Sequence, residues 1–243
     1  MAEATGTRLT DPGDRHVRSF VIRAGRMTEA QKRAFEELGL LYLIPVDAQH
    51  LQHVDLDAAF GRHAEIVLEI GFGMGTSFVQ MALDDPSRNY LGIEVHPPGV
   101  GSCMKLAHEA ELKNLKIIHF DAFEVIKKCL APQSISVLQI FFPDPWPKKR
   151  HVKRRLIDDE FIAMCEPLLK DGAQVRLATD WEDYALQMLE VMRRAKNFVN
   201  TAADGAFVPR PAWRPLTKFE QRGERLGHGV RDLVFEHVLP KKS

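Results

Sequence analysis

Ile66-Val67-Leu68-Glu69-Ile70-Gly71-Phe72-Gly73-Met74-Gly75-Thr76 decides the fold. Its first five residues are apolar and mostly β-branched, interrupted only by Glu69, and the run is short enough for a strand buried on both faces. Glycine at 71, 73 and 75 then allows a tight backbone loop, and residues 76–83 read as a helix ended by Pro86. This strand, loop and helix rhythm repeats. Residues 90–95 form a second strand, and Pro97-Pro98 opens a helix to about residue 113. A third strand over 115–119 is followed by a helix over 122–130, and a fourth strand by the apolar run 137–142. The spacing predicts a helix from about 156 to 170 and a fifth strand over 173–178. Asp180, with Asp183 three residues on, is expected to cap a helix over 181–194. Alternation of this kind means a parallel sheet wrapped by helices.

The flanks differ. Residues 1–20 are polar and punctuated by Asp11-Pro12-Gly13, as in a mobile tail. Arg15, His16, Arg18, Arg23 and Arg26 make this end basic, which suits either a solvated tail or an arm over nucleic acid. Thr28 and Gln31 form a capping box for an amphipathic helix to about residue 38. Residues 40–61 are an irregular lead-in carrying Pro45, His50 and His53, and the two histidines lack a third ligand. After residue 195, a loop-rich stretch over 198–213, a polar helix over 216–226 and an alternating strand over 230–238 close the chain. The expected organisation is a tail (1–20) and one domain (21–243), the latter divided into lead-in (21–60), core (61–195) and a last part (196–243).

A length of 243 residues, with 45% hydrophobic and 27% charged, suits one ordinary globular domain. With 33 basic and 33 acidic residues, any polyanion site must come from local segregation of charge. Cys103, Cys129 and Cys165 are odd in number and widely spaced, so neither a disulfide framework nor a structural zinc site is expected. No signal peptide or membrane span is visible, and a reduced, cytoplasmic, soluble protein is the expectation.

In a doubly wound sheet, ligands bind beyond the carboxyl ends of the strands. Glu69, Glu94, Asp121, Asp144 and Asp180 all fall at such ends. A dinucleotide-binding turn reads Gly-x-Gly-x-x-Gly, whereas here the third glycine comes one residue early and Thr76 takes its place. With Glu69 ahead of Gly71, Gly73 and Gly75, the loop repels phosphate and suits a cation, which favours S-adenosylmethionine over a nicotinamide dinucleotide. Glu94 stands near the offset at which an acid grips ribose hydroxyls, and Asp121 is placed to accept from an adenine amine.

After the fourth strand, Pro143-Asp144-Pro145-Trp146-Pro147 fixes three φ angles and removes three donors, so a stiff loop must follow. Lys148-Lys149-Arg150-His151-Val152-Lys153-Arg154-Arg155 comes next. Alone, such a run reads as a solvated helix start; beside Asp144 it reads as a phosphate-binding block. Trp146 suits either a stack on an unpaired base or a lid on the core.

Phe142-Pro143-Asp144-Pro145-Trp146-Pro147-Lys148-Lys149-Arg150-His151, then Lys153-Arg154-Arg155, resembles the most specific motif of the bacterial tRNA (guanine-N7)-methyltransferases. Ala178-Thr179-Asp180-Trp181 and Arg214-Pro215-Leu216-Thr217-Lys218-Phe219-Glu220-Gln221-Arg222-Gly223 are similar to its later two, and the resemblance runs from Phe20 to the C-terminus. It implies a Rossmann-like class I methyltransferase: a mostly parallel seven-stranded sheet, helices on both faces and an antiparallel C-terminal strand. By the same resemblance, Glu69, Glu94, Asp121 and Asp144 hold S-adenosylmethionine, and Asp144 is also the catalytic residue. Lys148, Asp180, Thr217, Lys218, Phe219 and Glu220 hold the RNA, while Arg150, His151, Val152, Lys153, Arg154 and Arg155 contact its backbone. The implied reaction is methylation of the variable-loop guanosine of tRNA. The expected partner is tRNA, with no metal and no membrane, and the expected state is a monomer or a weak dimer. Alternatives are a non-catalytic RNA-binding protein and a methyltransferase acting on another base or a small molecule. Guanine N7 carries a lone pair and no proton, so methyl transfer needs alignment and a nearby negative charge rather than a general base.

Overall fold

The computed structural model describes residues 27–216, 220 and 229–240. Its strands are β1 (Ile66–Ile70), β2 (Asn89–Ile93), β3 (Leu115–Ile118), β4 (Ile135–Phe141), β5 (Leu169–Thr179), β6 (Phe198–Asn200) and β7 (Arg231–His237). They form one sheet in the order β3-β2-β1-β4-β5-β7-β6. The first five are mutually parallel, and β7 runs antiparallel to both β5 and β6. From β1 the order proceeds outward in both directions, so a crevice must open where the β1 and β4 connections part.

The helices are α1 (Glu29–Tyr42), α2 (Leu56–Phe60), α3 (Thr76–Asp84), α4 (Pro97–Glu109), α5 (Ala122–Lys128), α6 (Asp159–Cys165) and α7 (Glu182–Arg194). Successive strand residues face opposite sides. Val67 and Val137 therefore pack with Phe78, Val100 and Met104 of α3 and α4, while Leu68 and Leu138 pack with Val125, Phe161 and Tyr184 of α5, α6 and α7. The sheet is covered on both faces, which is why β1 and β2 are buried along their whole length.

The capping box forms: Thr28 N donates to Gln31 Oε1 at 2.9 Å and Gln31 N donates to Thr28 Oγ1 at 3.3 Å. Gln31 Nε2 also donates to Pro98 O at 3.1 Å, tying α1 to the start of α4. Just beyond α1, Ile44 N donates to Ile117 O at 2.9 Å, which covers part of the outer edge of β3.

Four expectations need correction. The helix expected over 156–170 is only α6, preceded by a 3₁₀ turn (Lys149–Arg154) and followed by another (Glu166–Leu168). Pro167 lacks the N–H that a continuing α-helix would use, and the chain tightens into the second 3₁₀ turn before β5 begins at Leu169. Asp180 does not cap α7; Trp181 holds the cap position without a side-chain bond. The lead-in contains α2, capped by Asp55 and closed by Gly61 at φ 67°, and the loop-rich stretch contains the short edge strand β6. The expected tail over 1–20 and most of the helix expected over 216–226 lie outside the described residues.

Candidate active site

A cleft of about 240 Å³ opens at the carboxyl ends of β1, β2, β3 and β4, lined by Gly71, Glu94, Asp121, Phe123, Phe142 and Asp144 among others. Gly71, Gly73 and Gly75 take φ of 74°, 58° and 80°, a region that L side chains enter only with strain. Gly75 is also sterically required, because a Cβ there would stand 2.5 Å from Cys103 Cβ and 2.9 Å from its Cα.

Glu94 holds this loop in place. Its Oε2 accepts from Gly73 N at 3.0 Å, and its Oε1 accepts from Val95 N at 2.7 Å and His96 N at 2.9 Å. Nothing in the spacing from Glu69 to Glu94 foretold this bond to the loop. Asp121 Oδ1 accepts from Phe123 N at 2.9 Å, so the acid at the cleft wall also caps α5. Glu69 sits behind the loop rather than among the residues lining the cleft, at 3% exposure. Gln139 Nε2 donates to Glu69 Oε2 at 2.6 Å. Burial pushes the Glu69 carboxyl up to about 8; the Gln139 hydrogen bond opposes this and nearby Glu94 adds to it.

Asp144 reaches the cleft on a strained loop. Phe142 and Trp146 have φ of 52° and 43°, unusual for bulky residues, and Pro143, Pro145 and Pro147 stiffen the turn between and beyond them. Phe142 N donates to Ala178 O at 2.8 Å, so the loop leaves β4 still attached to β5.

The basic run then divides. Lys148, Lys149, Arg150 and Lys153 are exposed, while His151, Val152 and Arg154 are half-buried. Arg154 Cζ lies 5.0 Å from the Trp146 ring centre and His151 meets the same ring edge-on at 5.7 Å. Trp146 thus packs against the basic run, a contact that neither reading of the sequence anticipated. Arg155 departs from its expected place in the RNA contacts. It is 6% exposed, with Nε donating to Pro145 O at 2.8 Å, Nη1 to Gln187 Oε1 at 2.7 Å, and Cζ 4.8 Å from the Tyr184 ring centre. Its guanidinium is committed to holding the Asp144 loop against α7. Asp180 is exposed at the end of β5.

Every ionisable side chain among the described residues that line the cleft is a carboxylate: Glu94, Asp121 and Asp144. Apolar walls with Phe123, Val95 and Phe120 complete it. That donor set fits a ligand with a flat apolar part and positive charge, as S-adenosylmethionine has. Among the described residues no three His, Cys, Asp or Glu side chains group as metal ligands, and no helix is long and apolar enough to cross a membrane.

Residues 63–233 match a family model described as "Putative methyltransferase". Over 242 residues the chain is 50% identical to the tRNA (guanine-N(7)-)-methyltransferase of Pseudomonas entomophila, covering 98% of this chain and all (100%) of that one. The chain belongs to the tRNA (guanine-N7-)-methyltransferase family. A second member, from Aeromonas hydrophila subsp. hydrophila, is 53% identical over 224 residues, covering 92% of this chain and 93% of the relative. A 16S rRNA (adenine(1408)-N(1))-methyltransferase from Catenulisporales acidiphilia superposes with a TM-score of 0.55 at 16% identity, over 80% of this chain and 96% of that one. The 16S rRNA methyltransferase KamB gives 0.53 at 16% identity, over 80% and 99%. These two share the fold, a class I methyltransferase sheet with a reversed strand near the C-terminus.

In this family member the last motif is anchored from inside. Thr217, Lys218 and Phe219 lie outside the described residues. Glu220, expected on the RNA, is 3% exposed, and its Oε1 lies 2.6 Å from Arg214 Nη1. Arg214 in turn donates from Nε and Nη2 to Asp232 Oδ1 and Oδ2, at 2.6 and 2.9 Å. The expected substrate ligand is therefore part of a buried ion cluster. Sequence reading missed Asp232, Gln187 and Tyr184, each distant in the chain from the group it holds.

Proposed function

We propose that this protein transfers the methyl group of S-adenosylmethionine to N7 of a guanosine in the variable loop of tRNA, acting as a cytoplasmic monomer. The observation that carries this is the junction of two charge environments: an all-carboxylate cleft, with Asp144 on its rim, followed directly by exposed Lys148, Lys149, Arg150 and Lys153. Bound there, S-adenosylmethionine would supply an electrophilic methyl on a sulfonium.

The chain's own residues do the rest. Glu94 fixes the glycine loop and retains lone-pair capacity for ribose hydroxyls, since two carboxylate oxygens offer about four acceptor positions and the three backbone bonds leave room. Asp121 closes the opposite wall. Asp144 accepts hydrogen bonds from the Watson–Crick edge of guanine, which turns N7 toward the cleft and places a negative charge near a ring that becomes cationic. No proton has to leave N7. Lys148 and Asp180 steady the nucleotide, and Arg150, Lys153 and Arg154 meet phosphates of the flanking backbone. With Arg155 committed to the loop, the phosphate-facing set is smaller than its sequence suggests.

The test is to incubate the protein with unmodified tRNA and S-adenosylmethionine, reduce the product and treat it with aniline. Scission at a single variable-loop guanosine is expected; methylation without that scission would refute the choice of atom or site. Asp144→Ala should keep tRNA binding while turnover falls by roughly 10²-fold, the scale of losing one transition-state charge partner. Near-normal turnover would remove Asp144 from the chemistry.

A further inference from the structure

Arg214 is 1% exposed, yet its guanidinium touches three segments that the reaction needs together. Its fork closes on Asp232 of β7 at 2.6 and 2.9 Å, and its Nη1 lies 2.6 Å from Glu220, within the segment resembling the family's third motif. Its Cζ is 5.6 Å from the ring centre of Phe142, the strained residue that launches Pro143 and Asp144. The backbones converge as well. Asp232 is the register partner of Ala178 across β5 and β7, and Ala178 O accepts from Phe142 N at 2.8 Å. Val208 N donates to Asp232 O at 2.9 Å, which pins the acid from the other side.

A lysine could satisfy the charge but not the geometry. Only a planar fork can present two parallel N–H bonds to one carboxylate while its remaining nitrogen ion-pairs with another and its central carbon stays near a ring. Arg214 is the cation in direct contact with both buried acids, with Arg210 a second positive charge acting on Asp232, so breaking the fork leaves a buried acid without its bonded partner. We infer that Arg214, oriented by Asp232, is a positioning residue that holds the Asp144 loop and the Glu220 segment in one fixed relation around the target base. This rests on the proposed function and adds a residue pair to it.

The test uses the full chain with Asp232→Asn, Arg214→Lys, Phe142→Leu and the double variant Phe142→Leu/Asp232→Asn. The readouts are kcat and KM with tRNA, and the Kd of S-adenosylmethionine by calorimetry. Asp232→Asn should lower kcat by about tenfold or more, because small misplacements of reacting groups cost that much, while the cofactor Kd stays within about twofold. Arg214→Lys should fail to rescue, with a similar loss. Phe142→Leu should lose kcat too, and the double variant should be no worse than the poorer single variant within about twofold, since both changes break one linkage. A folded Asp232→Asn with kcat within about twofold of the parent, cofactor affinity and kcat falling together by one factor, or losses that multiply would each overturn the inference. If neither polar variant folds, Phe142→Leu decides alone, and an unchanged kcat refutes the linkage. Absence of methylation in the parent protein would instead strike the proposed function.

Discussion

Arg155→Ala separates the two roles that one basic run conceals. Removing this guanidinium leaves Pro145 O and Gln187 Oε1 without their charged donor and strips the face of Tyr184. A hydrogen bond from a charged group contributes about 1.5–3 kcal/mol, and a desolvated cation–aromatic contact about 1–2 kcal/mol. Such terms are not additive, so a total loss of about 3–5 kcal/mol is expected. For a chain of this size each kcal/mol moves Tm by about 2–4 °C, which gives a drop of roughly 6–20 °C in a thermal melt. Arg150→Ala, at an exposed position, should change stability by less than about 0.5 kcal/mol. It should instead weaken tRNA binding and reduce the slope of log K against log salt by roughly one. Melts followed by fluorescence, and filter binding across a salt series, give both numbers for both variants. The reasoning fails if Arg155→Ala melts with the parent protein and flattens the salt slope as Arg150→Ala does.

Glu69 sets a pH dependence of unusual sign. Its folded pKa is raised by burial to about 8 from the ordinary 4.5, so between these values the native state holds a proton that the unfolded chain has lost. This carboxyl therefore lowers stability progressively as pH rises from about 4.5 to 8, and Glu69→Gln should flatten that fall in melts recorded across the range. A parent and variant with parallel pH profiles would contradict it. Gly75→Ala brings a methyl to 2.5 Å from Cys103 Cβ at a φ of 80°, and should cost about 2–5 kcal/mol from strain and overpacking. Cofactor affinity should fall with it; a variant that binds S-adenosylmethionine normally would show that the loop relaxes.

What could be read in advance was what adjacent residues determine together. The bounds of β1, the Thr28 cap, the glycine loop and the stiff turn at Asp144 all follow from residues within a few positions of one another, and all appear as expected. Failures came where distant segments decide. The early end of the helix expected over 156–170 is the exception, since Pro167 lies within that stretch. Arg155 carries the same charge as its neighbours, and only the arrival of Tyr184 and Gln187 on α7 buries it. Its one local sign is that Leu156 and Ile157 follow immediately, turning the chain inward. Glu220 reads as an RNA ligand and Asp232 as an ordinary polar residue, because only the insertion of β7 between β5 and β6 brings both to one arginine. Charge counting sees composition and is blind to that insertion.

The placement of β7 also limits how this scaffold can be redirected. The cleft walls all come from the segment ending at Leu156, so another methyl acceptor could be sought without touching them. Arg214 and Glu220, however, cannot be exchanged on their own. Their anchor is Asp232, on a strand threaded into the interior of the sheet, so a graft from a relative of different specificity must bring its own β7 along or arrive unmoored.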